Sequence, residues 1–172
     1  DCLIINGGYI EVYSNYDCLD SNGNLVLNGG VIKASNTGGA FTGQNSVFDP
    51  DGKLTIGDTV TFISTSGGKT QANVSTTQHT ITIFGDSTYK AETYISVKDE
   101  TGTLIAEYVP HGDFNSFLII SPALEIGKTY TIAIGDDTHE VTLNEHNTVI
   151  GTEEASNGMD GFGAGGMGMP PG

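Results

Sequence analysis

The chain has 172 residues, with 21 acidic side chains against 6 basic ones and a formal net charge of −15. All six basic residues are lysine. A surface this acidic repels nucleic-acid phosphates and anionic lipid headgroups, which removes both as partners. It draws cations instead, calcium foremost, because that ion takes several oxygen ligands. Hydrophobic residues make up 37% of the chain, and Gly, Asn, Thr and Ser are abundant. That balance points to β-structure with many tight turns. No apolar run approaches a membrane span. The chain opens directly on Asp1-Cys2-Leu3, with no signal peptide, and reads as a mature or trimmed product.

The first elements are repeats. Leu3-Ile4-Ile5-Asn6-Gly7-Gly8-Tyr9-Ile10 returns 22 residues later as Leu25-Val26-Leu27-Asn28-Gly29-Gly30-Val31-Ile32. A weaker third copy, Leu54-Thr55-Ile56-Gly57-Asp58-Thr59-Val60-Thr61, follows after 29 more. The added length is assigned to a turn insertion at Ser35-Asn36-Thr37-Gly38-Gly39. A second match supports the register: Leu19-Asp20-Ser21-Asn22-Gly23-Asn24-Leu25 aligns with Phe48-Asp49-Pro50-Asp51-Gly52-Lys53-Leu54, again 29 apart. Each unit reads as a short strand, an Asn-Gly-Gly corner, a second strand and a longer turn. Asn and Gly tolerate the positive φ that a tight corner needs. One unit cannot bury its apolar side alone, so units must stack. The pattern predicts an all-β fold that begins with a short right-handed parallel β-helix of about three rungs, over residues 1–76. Ordinary hairpins are the alternative, since Asn-Gly also marks hairpin turns. In this register Cys2 falls opposite Asn24 and Cys18 opposite Val47, so the two thiols are expected to stay unpaired.

Residues 77–152 change character. Alternation predicts strands at His79–Phe84, Tyr94–Lys98 and Leu104–Tyr108, the last two joined as a hairpin through Asp99-Glu100-Thr101-Gly102. Further strands follow at Phe117–Ile120, Thr129–Ile134, His139–Leu143 and Thr148–Ile150. Even spacing suggests an antiparallel sheet or small sandwich that caps the β-helix. Residues 153–172 are rich in Gly, Met and Pro and read as a flexible tail.

Asp17, Asp20, Asp49 and Asp51 occupy the turns before aligned strands. Asp20 and Asp49 should lie one above the other, about 4.8 Å apart as neighbouring strands are. Like charges that close favour a cation between them. These four carboxylates with Asn22 are the candidate calcium ligands; the competing reading is that they cap turn amides. His79, His111, His139 and His146 lack metal-ligand spacing and read as surface or strand residues. Asn73-Val74-Ser75 fits a glycosylation acceptor. Tyr9, Tyr13 and Tyr16 cluster on one rung. Tyr9 is expected to be partly packed, while Tyr13 and Tyr16, in the following turn, could stack on a sugar or simply cover the apolar edge. Tyr13, Tyr16 and Lys33 are the candidate carbohydrate contacts.

The strings Ile5-Asn6-Gly7-Gly8-Tyr9-Ile10, Asp17-Cys18-Leu19-Asp20-Ser21-Asn22-Gly23-Asn24-Leu25 and Asn28-Gly29-Gly30 together resemble secreted bacterial β-helix proteins described as carbohydrate-binding domain-containing. Rungs of that family read Gly-Asp-Gly-Leu-Asp-Ser-Asn-Gly before an Ile-Asn-Gly-Gly strand. Asp17, Asp20, Ser21, Asn22 and Gly23 match; Tyr16 and Cys18 replace two glycines. Asn45-Ser46-Val47-Phe48-Asp49-Pro50-Asp51-Gly52 is similar to the next turn. The resemblance runs over residues 1–151, through Ser96-Val97-Lys98-Asp99 and the strand ending at Ile132. It implies a calcium-bearing module that binds cellulose or acidic sugars such as polygalacturonate. The expected function is therefore a secreted, extracellular, non-catalytic carbohydrate-binding module, calcium-dependent and directed at acidic or plant cell-wall polysaccharide. Two alternatives stand beside it. The first is a self-assembling filament subunit that uses the open first rung and the C-terminal strand or tail. The second is a β-helix polysaccharide lyase or hydrolase, for which only Lys33, Lys53 and Lys69 lie in or beside the rungs as candidate bases.

Overall fold

A computed structural model describes residues 1–37, 45–67 and 74–152. Gly38 and Gly39 of the expected insertion, Lys69, Asn73 and the tail at 153–172 lie outside the described residues. All regular structure among the described residues is strand. In chain order the strands are β1 (Cys2–Ile5), β2 (Tyr9–Ser14), β3 (Leu19–Ser21), β4 (Asn24–Leu27), β5 (Gly30–Asn36), β6 (Phe48–Pro50), β7 (Leu54–Ile56) and β8 (Val60–Ser66). They continue as β9 (Thr80–Tyr89), β10 (Ile95–Asp99), β11 (Leu104–Tyr108), β12 (Phe114–Ile120), β13 (Thr129–Ile134), β14 (Asp137–Thr142) and β15 (Asn147–Ile150).

The repeats pair in parallel. One sheet runs β1-β4-β7, a second pairs β3 with β6, and β2, β5 and β8 lie side by side in a third. Leu3 stands over Leu25 and Leu54, Ile5 over Leu27 and Ile56, and Leu19 over Phe48. These alternate positions carry the apolar side chains inward, and Leu25, Leu27, Ile32 and Ala34 are fully buried. Asn28 Nδ2 donates to Asn6 Oδ1 at 2.8 Å, so the corner asparagines stack as well. At Gly30 φ is +99°, and a Cβ there would meet Gly8 O at 2.5 Å. Only glycine fits so close a corner.

The structure corrects the repeat at two points. Gly30, not Val31, stands opposite Val60, and Ile32 stands opposite Phe62. The second and third units are thus offset by 30 residues on this side, one more than at Leu25–Leu54. The physical reason is burial. A strand shifted by one residue turns its other face inward, and the extra residue brings Val60 and Phe62 into the core while leaving Thr61 half-exposed. Ser35 and Asn36, expected in the insertion, belong to β5 and pair with Thr65 and Ser66. Asn36 is buried, and its amide donates to Tyr16 O and, at 3.2 Å, to Ser46 O. The missing third asparagine is replaced from outside the repeat: buried Gln78 donates to Gly57 O at 2.7 Å and Val60 O at 2.9 Å.

The C-terminal strands divide: four form an antiparallel sheet, as expected, and three join the sheet of the repeats instead. β12 pairs antiparallel with the repeat strand β8, β9 pairs antiparallel with β12, and β15 pairs with β9 in parallel, giving one six-stranded sheet ordered β15-β9-β12-β8-β5-β2. β11-β10-β13-β14 form a four-stranded antiparallel sheet. The hairpin at Asp99 forms as expected, with Asp99 Oδ1 accepting from the Thr101 and Thr103 amides, both at 2.9 Å.

Two cores result. Phe62, Leu118 and Ile120 face the inward side chains of the repeats. Ile63, Phe117 and Ile119 face the other way and pack with Ile81, Ile83, Val97, Tyr108, Ile132 and Val141 under the four-stranded sheet. Burial on both faces explains why β12 reads Phe-Leu-Ile-Ile without alternation. The outer faces of β2 and β5 are left uncovered, and there Tyr9, Glu11, Tyr13 and Val31 meet solvent.

Candidate functional site

The uncovered face of β2 and β5 forms the floor of a groove, and the edge strand β11 and residues flanking it form a wall. The groove encloses about 470 Å³ and is lined by Tyr9, Glu11, Lys33, Glu92, Tyr94, Glu107, Tyr108, Val109 and His111. It continues past Val31 and Thr61 into a neighbouring depression of about 320 Å³ that shares Tyr9, Lys33 and Glu107.

Period-two alternation places Tyr9, Glu11 and Tyr13 on one face of β2. Parallel pairing sets Lys33 opposite Glu11. Tyr9 is 61% exposed, which corrects the expectation that it would be partly packed; β2 is the sheet edge, and no layer covers its outer face. Tyr13 lies within β2 rather than in the turn after it.

Each exposed groove tyrosine is tied to a carboxylate. The Tyr9 hydroxyl donates to Glu11 Oε2 at 2.9 Å. The Tyr94 hydroxyl donates to Glu107 Oε2 at 2.7 Å. These hydrogen bonds are the main cause that raises both phenol pKa values above the ordinary tyrosine value; burial and the carboxylate charges add to it. Both phenols therefore remain donors at neutral pH, and the carboxylates keep free lone pairs for a ligand. Lys33 Nζ sits 5.4 Å from the Tyr9 ring centre and 5.8 Å from that of Tyr108, within cation–π range. His111 stands between two carboxylates, Nε2 at 3.5 Å from Glu11 and Nδ1 at 3.5 Å from Glu92, with the Tyr13 ring edge-on at 5.9 Å.

Tyr108 backs the groove almost completely buried. Its hydroxyl lies near Ser35 but makes no hydrogen bond of normal geometry. Desolvation drives this phenol's pKa up most strongly, reinforced by the Glu11 charge.

Of the sequence-derived carbohydrate contacts, Lys33 lines the groove and Tyr13 touches it through His111. Tyr16 is exposed but lies outside it. Glu92, Tyr94, Glu107 and His111 were not foreseen, because they arrive from a part of the sequence far downstream of β2. The spacing Tyr9-x-Glu11-x-Tyr13 was the available signal, since it fixes three ligand-competent side chains on one strand face.

The candidate calcium ligands lie on another side of the repeats. Asp20 and Asp49 are direct partners in the β3–β6 ladder, as the repeat requires. The register continues one turn further, where the Asp51 amide donates to Ser21 O at 2.9 Å, so Asn22 and Asp51 hold equivalent positions. Asp17 Oδ1 accepts from the Ser46 amide at 2.7 Å and caps that turn. Among the described residues, no three His, Cys, Asp or Glu side chains converge as a metal-binding group. Cys2 and Cys18 are both free thiols, as the register implied.

A further depression of about 530 Å³ lies beside the Asp99 hairpin. Its aromatic residue, Tyr130, is buried, and its hydroxyl is committed to Ala123 O at 3.0 Å and the Glu125 amide at 2.8 Å. It presents no exposed ring face, and the Tyr9 groove is the better ligand surface. No protein family, no curated protein and no solved structure matches this chain.

Proposed function

We propose that this protein is an extracellular, secreted, non-catalytic carbohydrate-binding module and that the groove between β2 and β11 is its binding surface. One observation carries the reading: two solvent-facing tyrosines, Tyr9 and Tyr94, each hold a carboxylate in place beside an exposed ring. A sugar ring has an apolar face and a rim of hydroxyls. Tyrosine stacks on the first, and fixed carboxylates accept from the second. The parallel ladders recurring at the repeat spacing support residues 1–76 as a short right-handed β-helix of about three rungs, with residues 77–152 closing it and 153–172 as a tail. A calcium requirement rests on Asp20 stacked on Asp49 alone; binding unchanged in EDTA removes it.

The test is retention of the full chain on insoluble polysaccharides, measured as depletion from the supernatant. Retention that falls at least tenfold in Tyr9→Ala/Tyr94→Ala supports the reading. Retention on none of the polysaccharides, or equal retention of that variant, contradicts it.

A second reading, head-to-tail assembly into a filament, is favoured by the first repeat unit. β1 and β2 are edge strands, and Leu3, Ile5, Ile10 and Val12 are half-buried above partners that are fully buried. Paired strands at such an edge could be extended by another chain. Sedimentation of the full chain as a concentration-independent monomer speaks against it.

A further inference from the structure

We propose that the groove, on the carbohydrate-binding reading above, selects a polysaccharide bearing protonated amino groups, of the partly deacetylated β-linked glucosamine class, over a polyuronate. The charge of the lining argues for this. Glu11, Glu92 and Glu107 line the groove together, with Lys33 and the His111 imidazole among them. Both of these are already engaged. Lys33 lies over two aromatic rings, and His111 is held between Glu11 and Glu92. A uronate entering here sets its carboxylate among three others, on a protein of net charge −15. An ammonium group meets the opposite situation.

The aromatic chemistry agrees with the charge. A tyrosine ring face attracts a cation, and the Lys33 ammonium over Tyr9 shows that this ring already hosts one. The Tyr94 ring is half-exposed, with Glu107 fixed at its hydroxyl. It offers an ammonium a ring face and a counter-charge together.

The experiment compares glucosamine hexamer, cellohexaose and oligogalacturonate by calorimetric titration of the full chain at pH 5.5 and low salt. The expected order is glucosamine hexamer tightest and oligogalacturonate weakest. Glu11→Gln/Glu92→Gln/Glu107→Gln should lose about tenfold for the glucosamine hexamer. Asp136→Asn/Glu140→Gln/Glu145→Gln, which removes the same charge from exposed sites outside the groove, should lose less than about twofold. Equal losses in the two variants mean general attraction to an acidic protein and overturn the proposal. Oligogalacturonate binding tightest, or cellohexaose matching the glucosamine hexamer, overturns it while leaving the carbohydrate-binding reading intact. Failure of all three sugars to bind removes both.

Discussion

The side-chain amide of Asn28 donates to the carboxamide oxygen of Asn6, 22 residues earlier, at 2.8 Å. The two asparagines occupy the same corner of successive repeat units, and their bond reports directly that the units stack in register. Asn28→Ala removes this bond at an exposed corner and is expected to cost about 1 kcal/mol. Chemical denaturation should show the midpoint falling with an unchanged denaturant slope. An unaltered midpoint would mean that the corner asparagines carry no stacking energy.

Phe62 tests the one-residue slip between the second and third units. Its ring lies 4.5 Å from that of Phe48, and both are buried. Phe62→Ala should cost about 3–5 kcal/mol as a core cavity. Its half-exposed neighbour Thr61 should tolerate Ala at about 0.5 kcal/mol or less. The reverse order would restore the ungapped alignment, which sends Thr61 inward.

Two glycines separate backbone strain from steric closeness. Gly30 and Gly102 both have positive φ, +99° and +84°. A Cβ on Gly30 meets Gly8 O at 2.5 Å, whereas one on Gly102 meets nothing within 4 Å. Gly102→Ala should therefore cost about 1 kcal/mol of backbone strain. Gly30→Ala should cost clearly more, because it also drives β2 and β5 apart. Thermal melts of the two variants decide the matter.

The two thiols should react differently. Cys2 is exposed. Burial, with the Asp17 charge adding to it, pushes the Cys18 thiol up to about 12. The thiolate is the reactive form, so at pH 8 one equivalent of an aromatic disulfide reagent should react quickly and the second only on unfolding. Two fast equivalents would show that the edge beside β3 opens readily.

The repeat was legible because stacking imposes one spacing on many residues. Leu3 over Leu25 and Asp20 over Asp49 follow from sequence alone, and both stand in the structure. The slip at Val60 was not legible. Gly57-Asp58-Thr59 resembles a corner of the same length, and only core packing shows which of Thr61 and Phe62 points inward. The strands β11 and β13 matched their alternation pattern at both ends, but their partners did not follow from it. Period two names a strand's faces without saying which sheet it joins, so β12 and β9 extending the repeat sheet came from tertiary packing. The groove was half legible for the same reason. Tyr9, Glu11, Tyr13 and Lys33 could be placed on one face, but the wall carrying Glu92, Tyr94, Glu107 and His111 exists only once the second sheet packs. Asp17 shows a further limit: its place in a turn fits a ligand and a turn cap alike, and the structure shows the Ser46 amide donating to it.

The most direct measurement follows the seven tyrosine rings by NMR while the full chain is titrated with glucosamine hexamer and, separately, cellohexaose. The account predicts saturable shifts of Tyr9 and Tyr94 with at least one sugar, while Tyr16, exposed outside the groove, stays still. Shifts centred on Tyr16, or no saturable shift of Tyr9 and Tyr94 with either sugar, would contradict it.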